Sequence, residues 1–399
     1  MKRYTFKAYD STGGFLSTIP DVVDDPKFTS YINSGAGEMT FKLPRSVFNF
    51  DEGSIIAQNN EVTIDCHDTD GSVTIYSGYI SKYAPALNKG QEFIQVTCLG
   101  YASQLERYMH EDSSGNTTLS YLSDDPTDIL KDVLDNFTTA GGKVDYNASS
   151  TDDTSTVVTY EMNTYTVKEA LDKVNQLAPN GWYYSVGADN IVQFHSKDAT
   201  ANHTLVLGKD VQTIIPEKSL EGMVNKIYFT GAEITATGEN LYKKYTRSSS
   251  ISNYGLYAKK LVDTRVSDET TMGIMATSIL DRGDTPETRT TLVIRDNNNL
   301  DGRGYDIESI HPGQTIKLLG YTQQNTNLWN TAIWDTDKWD YDLTQVSSTV
   351  QQIMKVSYEP NKLTVELSSK LPDISHRVED IRRNQISLTT NENSTAPTT

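Results

Sequence analysis

One stretch of oxygen-bearing side chains has the spacing of a calcium-binding loop. Its members occupy the first, third, fifth and twelfth positions of the loop and are Asn297, Asn299, Asp301 and Glu308. Alternate oxygen ligands, a glycine such as Gly302 for the sharp turn, and a glutamate that binds through both oxygens suit Ca²⁺. However, asparagine replaces aspartate at the first position, and residues 291–294 before the loop have the composition of a strand rather than a helix. A polar β-hairpin loop is therefore the favoured interpretation and calcium binding is the alternative; no other cofactor is expected.

Three tryptophans spaced five residues apart form a second candidate site, and they are Trp329, Trp334 and Trp339. A spacing of five fits neither one face of a helix nor one face of a strand, so it predicts a looped-out hairpin with an aromatic cluster. Packing of this hairpin onto its own barrel or onto a neighbouring subunit is favoured. The alternative is glycan binding, in which exposed aromatic rings stack on sugars.

A short apolar seam lies near the C-terminus, where Ile374, Val378 and Ile381 are spaced four and three residues apart. This spacing corresponds to about two turns of a coiled-coil seam. The predicted helix either docks on a barrel or bundles on the axis of a symmetric oligomer. The three residues are therefore candidates for a trimer interface.

The sequence contains no recognisable catalytic motif. Its six histidines are scattered, and none has a ligand partner four residues away. Gly35 and Gly37 lead into a strand rather than a helix, so they provide no helix N-terminus for a phosphate. Cys66 and Cys98 each end an alternating apolar run, which is typical of small buried core residues. A disulfide between them stays open, although no secretory signal favours one. We expect a protein that is not an enzyme.

Two amphipathic helices are predicted in the middle of the chain. Pro126 opens the first helix, apolar residues recur on one helical face, and Gly141 follows its end. Thr166 and Glu169 form a capping box at the start of the second helix. A hairpin over residues 182–194 follows, so this part of the chain is expected to be a small α/β insert.

Alternating apolar and polar runs on both sides of this insert predict strands with one buried face. The expected fold is mainly β with an α+β insert, built from two β-barrel-like domains and one small α/β domain. We predict a first barrel at residues 1–105, the insert at 106–210, a second strand-rich unit with one helix at 211–370, and a C-terminal helix with a polar tail at 371–399.

The composition excludes several classes of function. The chain of 399 residues has a net charge of −18, from 53 acidic and 35 basic residues. A sequence-reading nucleic-acid binder would need a basic face, whereas an acidic surface lets DNA pass without binding. No run of about 18 apolar residues is present, so no membrane-spanning segment is expected.

Several phrases of the sequence resemble phage tail hub proteins. Residues 32–45 (INSGAGEMTFKLPR) and 76–81 (YSGYIS) are similar to the first barrel of that family, and residues 165–186 to its helix-then-hairpin insert. Residues 304–318 (GYDIESIHPGQTIKL) and 356–367 are similar to its second barrel. The order of these phrases resembles the baseplate hub, or tail-associated, proteins of siphophages that infect Gram-positive bacteria.

This resemblance implies a homotrimer at the tail tip of the virion. Each subunit of such a hub contributes two barrels, so three subunits present six similar modules to a sixfold tail ring. The implied partners are the distal tail ring protein, the tape-measure protein and other baseplate proteins, with DNA only in passage as the channel opens. Because long family members continue into a fibre or a wall-cleaving domain and this chain stops at Thr399, the short structural form is expected. A carbohydrate-binding baseplate adhesin and a tail-associated wall hydrolase are the alternatives.

Overall fold

The computed structural model describes residues 2–20, 22, 25–44, 55–68, 71–88, 91–234, 238–297, 303–319 and 350–369. Strands dominate this part of the chain, and helices are confined to its middle. The predicted fold class, mainly β with an α+β insert, is confirmed. None of the helices in the described part has both the length and the apolar character that crossing a bilayer requires.

The first sheet is built from the N-terminal strands. These strands are β1 (Arg3–Tyr9), β2 (Phe15–Ile19), β3 (Phe28–Tyr31), β4 (Glu38–Pro44), β5 (Glu61–His67), β6 (Ser72–Asn88) and β7 (Gln91–Gly100). All except β3 form an antiparallel sheet in the order β2-β1-β5-β6-β7-β4. Alternate side chains such as Phe41 and Ile64 point into its core. Cys66 and Cys98 are both buried and free, so the disulfide alternative is excluded.

The insert follows a 3₁₀ helix at Tyr101–Glu106. Its elements are β8 (Thr118–Asp124), α1 (Pro126–Thr139), β9 (Val158–Asn163), α2 (Val167–Leu177), β10 (Trp182–Val186) and β11 (Val192–Ser196). The Asp125 carboxylate caps α1 by accepting the Thr127 N–H, and Thr166 and Glu169 form the predicted capping box of α2. Both helices bury their apolar faces in one core, so the local sequence signals predicted these helices correctly.

The remaining elements complete two further sheets. They are β12 (His203–Val206), β13 (Val211–Ser219), β14 (Lys226–Ile234), β15 (Glu239–Thr246), α3 (Ser248–Tyr254), β16 (Ala258–Val262), α4 (Glu269–Gly283), β17 (Glu287–Arg295), β18 (Thr315–Leu319), β19 (Gln351–Glu359) and β20 (Lys362–Ser368). A three-stranded sheet has the order β15-β14-β16. The side chains of Ile227 and Phe229 on β14 pack with α4 in the same core as α1 and α2.

The last sheet has the order β12-β18-β19-β20-β17-β13, with β3 also paired to β19. Although β12 and β13 lie at opposite ends of this order, residues 207–210 are the whole connection between them. A flat sheet of this size would be about 24 Å wide at about 4.8 Å per strand spacing, whereas five residue steps reach about 18 Å at most. The sheet therefore has to curl into a barrel-like shape.

Both barrel-like sheets contain the same antiparallel unit. In the first sheet, β5, β6 and β7 follow one another and β4, the strand before them, pairs with β7. In the second, β18, β19 and β20 follow one another and β17, the strand before them, pairs with β20. This arrangement is a Greek key. The next strands differ, because β1 is antiparallel to β5 whereas β12 is parallel to β18.

The chain crosses between these units more often than a division into consecutive ranges implies. The predicted boundary after residue 210 falls between β12 and β13, which belong to one sheet. The predicted second unit at 211–370 also contains β14 to α4, whose apolar side chains join the core of the insert. The domain ranges themselves stay a prediction.

Candidate functional site

Residues 28–37, here called the junction segment, connect the first sheet, the second sheet and the insert. Its first part is β3, which pairs with β19 of the second sheet, with Thr29 opposite Ser357 and Tyr31 opposite Lys355. The neighbouring strand β18 pairs with β19 at Gln351 and Gln352. β3 therefore supplies hydrogen-bond partners to a part of β19 whose edge would otherwise be open.

The middle of the junction segment contacts both the second sheet and the insert. The Ile32 N–H donates to the Met354 carbonyl at 3.0 Å, and the Asn33 N–H donates to the Tyr184 carbonyl at 2.7 Å. In return, the Tyr184 N–H donates to the Asn33 side-chain oxygen at 3.1 Å. Asn33 has a φ of 53°, a left-handed conformation that asparagine tolerates better than most residues. One buried asparagine thus fixes the direction in which the chain passes from the second sheet to β10.

Two glycines allow backbones to approach closely at this junction. A Cβ on Gly35 would lie 2.9 Å from the Val186 Cβ and 3.1 Å from the Ala102 Cβ. A Cβ on Gly100 would lie 1.9 Å from the carbonyl oxygen of Ala36, which is a forbidden distance. Gly35 and Gly100 are therefore required by close packing, the first against Val186 and Ala102 and the second against Ala36.

A buried ionic network joins the same two sheets. The Lys2 ammonium contacts the two carboxylate oxygens of Glu308 at 2.6 Å and 2.5 Å, and an Asp296 oxygen at 2.8 Å. The three side chains are 5 %, 3 % and 2 % exposed. The Tyr358 hydroxyl donates to Glu308 at 2.5 Å and is hydrogen bonded to the Tyr4 hydroxyl at 3.1 Å. Lys2 directly precedes β1 and Tyr4 lies within it, so both belong to the first sheet. Asp296 directly follows β17, Glu308 lies in the 3₁₀ helix before β18, and Tyr358 lies in β19 of the second sheet. We call these five residues the junction network.

Burial determines the electrostatics of the junction network. It raises the pKa of Glu308, and the hydrogen bonds and charge of Lys2 oppose that rise only in part. Burial alone would lower the pKa of Lys2, but hydrogen bonds to Asp296 and Glu308 raise it above its usual value. Burial and then the Glu308 charge also raise the pKa of Cys66, to about 12. The nearby Cys66 thiol is therefore protonated at neutral pH.

The predicted calcium loop overlaps this network at one residue. Glu308 lies in a 3₁₀ helix, Ile307–Ser309, and its carboxylate is bound by Lys2 and Tyr358. Asn297 is exposed at the other end of the loop, and its N–H donates to the Tyr305 carbonyl at 2.9 Å. Oxygens of Glu308, Asp68 and Asp306 lie within 4.8 Å of one another. Calcium binding stays a prediction.

The other predicted site residues lie outside the described residues. They are Asn299 and Asp301 of the loop, Trp329, Trp334 and Trp339 of the aromatic hairpin, and Ile374, Val378 and Ile381 of the candidate trimer interface.

Sequence reasoning missed the partners of Glu308. Lys2 and Glu308 are 306 positions apart, and neither belongs to a motif that indicates the other. The one available signal was weak, since Lys2 directly precedes a strand with a buried face. A long-range ion pair of this kind becomes visible only when the sheets are placed together.

Comparison with known proteins bears on the fold. No protein-family model and no curated protein matches the chain. Among solved structures, it is similar to the prophage tail protein gp18 from Listeria monocytogenes EGD-e, with a TM-score of 0.57 and 11 % identity over 95 % of this chain and 98 % of that one. It is also similar to the tail protein from Neisseria meningitidis MC58, with a TM-score of 0.57 and 13 % identity over 92 % and 96 % of the two chains.

A third similar structure is the 43 kDa tail protein of prophage MuSo2 from Shewanella oneidensis, with a TM-score of 0.56 and 14 % identity over 92 % of this chain and 98 % of that one. These likenesses extend over nearly the full length of both partners. The chain has the fold of phage tail proteins, and the resemblance drawn from the sequence is confirmed at the level of the fold.

Proposed function

We propose that this chain is a structural protein of a phage virion, located at the tail tip or baseplate, and that it is not an enzyme. The observation that carries the proposal is the repeated Greek key. One chain presents the same antiparallel unit twice, on a fold that it shares with prophage tail proteins along nearly their whole length. Duplication of one unit is expected of a protein whose task is to present equivalent surfaces.

The repeated unit fits a protein that connects a threefold assembly to a sixfold one. A homotrimer of this chain presents six such units, three from each of the two sheets, and can meet a sixfold ring of tail protein without leaving unmatched surface. In this role the chain binds a distal tail ring, the tape-measure protein and other baseplate proteins. It closes the tail channel and opens for DNA ejection. With a net charge of −18, it repels passing DNA rather than retaining it.

The junction supports a load-transmitting role. A hub has to hold its two barrel-like units at a constant angle while the tail is pulled or reoriented. The pairing of β3 with β19 and the buried contact of Lys2 with Glu308 and Asp296 connect the units by main-chain hydrogen bonds and by charge. The ionic contact is buried and the strand pairing is half-buried, so the arrangement resists shear better than a flexible linker does.

Localisation on the particle tests this proposal. Gold-labelled antibodies against the purified protein are applied to intact phage and viewed by electron microscopy, and we expect label at the distal end of the tail. Label on the head or along the tail shaft would contradict the proposal. A cleared zone in a cell-wall zymogram would indicate a hydrolase instead, and cell binding that is lost in Trp334→Ala would indicate an adhesin.

A further inference from the structure

One face of the three-stranded sheet is basic and aromatic, although the chain as a whole is acidic. In register, Tyr228 lies between Lys244 and Lys260, and Thr230 lies between Tyr242 and Val262. Lys226, two residues before Tyr228, lies on the same face. Residues 226–265 contain seven basic and three acidic side chains. We call the face formed by Lys226, Tyr228, Tyr242, Lys244 and Lys260 the basic sheet face.

The ammonium groups of Lys226 and Lys244 contact aromatic rings rather than carboxylates. Lys226 lies 5.1 Å from the centre of the Tyr228 ring, and Lys244 lies 5.8 Å from both the Tyr228 and the Tyr242 rings. In the described part of the chain, none of Lys226, Lys244 and Lys260 is within ion-pair distance of a carboxylate. Lys244, Lys260 and Tyr242 are exposed and Lys226 is half-buried, so two exposed positive charges and one partly exposed one lie on this face.

The insert carries a complementary surface. Residues 106–161 contain twelve acidic and three basic side chains. Within them, Asp128, Asp132 and Asp135 are exposed on α1 at spacings of four and three, which places them on one helical face. We call these three residues the acidic stripe. Lys131 lies 3.5 Å from Asp128 and is the one basic residue of α1, so the acidic stripe keeps a net negative charge.

The dimensions of the two surfaces agree. Lys244 and Lys260 lie on the strands either side of β14, which separates them by about 9.6 Å at about 4.8 Å per strand. Asp128 and Asp135 are seven residues apart on a helix, which corresponds to about 10.5 Å at 1.5 Å per residue. A helix laid across the three strands therefore places one carboxylate over each lysine.

The two surfaces belong to opposite sides of the same core. α4 and the insert pack on the inner face of the sheet, where Ile227 and Phe229 are buried, so the basic sheet face points away from α1 of its own chain. We propose that the basic sheet face of one subunit docks on the acidic stripe of a second copy of this chain. A contact between two different patches closes into a ring under rotational symmetry. This inference rests on the proposed trimer and assigns its interface.

A linear polyanion is the competing occupant. Single-stranded nucleic acid binds where basic side chains accompany open aromatic rings on which bases stack. Here the ring of Tyr228 is contacted by Lys226 and Lys244, and a chain with a net charge of −18 repels a long polyanion. The observations therefore favour an acidic protein surface, and α1 of a second copy has the matching spacing.

Charge reversal and its compensation test the interface. The mass of the full chain is measured by light scattering across a range of concentrations, for the wild type, Lys244→Glu/Lys260→Glu, Asp128→Lys/Asp135→Lys and the variant that combines all four changes. Each double variant is expected to raise the concentration of half-assembly at least about tenfold, because two attractive pairs become repulsive. The combined variant is expected to assemble like the wild type, and 1 M salt is expected to weaken wild-type assembly, since screening then acts within about 3 Å.

A matched control is Lys82→Glu/Lys218→Glu, which makes the same change of net charge at exposed lysines elsewhere and is expected to leave assembly unchanged. Assembly of both double variants at the wild-type concentration would overturn the inference, as would a wild type that stays monomeric. Binding of polyphosphate that Lys244→Glu/Lys260→Glu abolishes, with no effect on mass, would overturn it in favour of a polyanion. Gold label at the tail tip in any of these cases would leave the proposed function standing, so the two failures are distinguishable.

Discussion

Replacing Lys2 with methionine is expected to weaken the connection between the two barrel-like sheets. The substitution removes the ammonium group but keeps most of the side-chain volume. In the wild type this group lies 2.5 Å from Glu308 and 2.8 Å from Asp296, and all three side chains are at least 95 % buried. The variant therefore leaves two carboxylates in a buried site with their cation removed. Removing one partner of a buried ion pair costs about 3–5 kcal/mol in general.

Protonation of Glu308 limits the cost of removing Lys2. A buried carboxylate without its partner can take up a proton instead of remaining charged. From an ordinary pKa of 4.5, protonation at pH 7 costs about 3.4 kcal/mol, because each pH unit corresponds to about 1.36 kcal/mol. At pH 5 the same protonation costs about 0.7 kcal/mol. We therefore expect the variant to lose about 3 kcal/mol of unfolding free energy at pH 7 and clearly less at pH 5.

The direction of this pH dependence follows from the linkage between proton binding and folding. Burial raises the pKa of Glu308 in the folded protein, and loss of Lys2 raises it further. A carboxyl group with a higher pKa in the folded state binds its proton more tightly when folded. Its contribution to stability is then fully present below the unfolded pKa and is lost as the pH rises through the folded pKa. The difference between wild type and variant should therefore shrink as the pH falls from 7 to 5.

Urea unfolding followed by circular dichroism at pH 7 and pH 5 measures this difference. The matched control is Lys7→Met within β1, because Lys7 also contacts a carboxylate, that of Asp65 at 2.5 Å, but is 36 % exposed. It is expected to lose under about 1 kcal/mol. The double variant Lys2→Met/Glu308→Gln should recover part of the loss, since it also removes one buried charge. A loss below about 1 kcal/mol for Lys2→Met, or an equal loss at both pH values, would refute the reasoning.

Three further outcomes are expected. Gly100→Ala should cost at least about 2–3 kcal/mol in urea unfolding, because its Cβ would meet the Ala36 carbonyl, whereas Gly273→Ala, which meets only the Tyr245 hydroxyl at 3.9 Å, should be neutral or stabilising. The thiols should stay unreactive towards a disulfide reagent at pH 8 until urea is added, because burial raises the pKa of Cys66 to about 12; fast reaction of the native protein would contradict this. Calorimetric titration with CaCl₂ should give no binding heat if the 297–308 loop is a plain hairpin connection, and saturable heat that Glu308→Gln abolishes would establish a calcium site instead.

Local sequence signals were sufficient for elements whose contacts are close in the chain. Asp125, Pro126 and the spacing of the apolar residues predict α1, and Thr166 with Glu169 predicts the start of α2, because caps and helical faces depend on residues within four positions of each other. The burial of Cys66 and Cys98 also follows from alternation along a strand. The order of these elements resembled phage tail hubs, and the fold agrees with that resemblance.

The sheet that each strand joins, and the charges that meet, depend on contacts between distant parts of the chain. Alternation with a period of two shows that a strand has a buried face, but it does not identify the sheet, so the departure of β3 to pair with β19 has no local signal. The same applies to Lys2 and Glu308, whose contact depends on how two sheets are placed, and to Gly100, whose missing side chain matters because Ala36 lies against it. The elements, their buried faces and the class of fold could be read from the sequence alone, since those depend on neighbouring residues. The junction that unites the units depends on contacts between residues that are far apart in the sequence, such as Lys2 and Glu308.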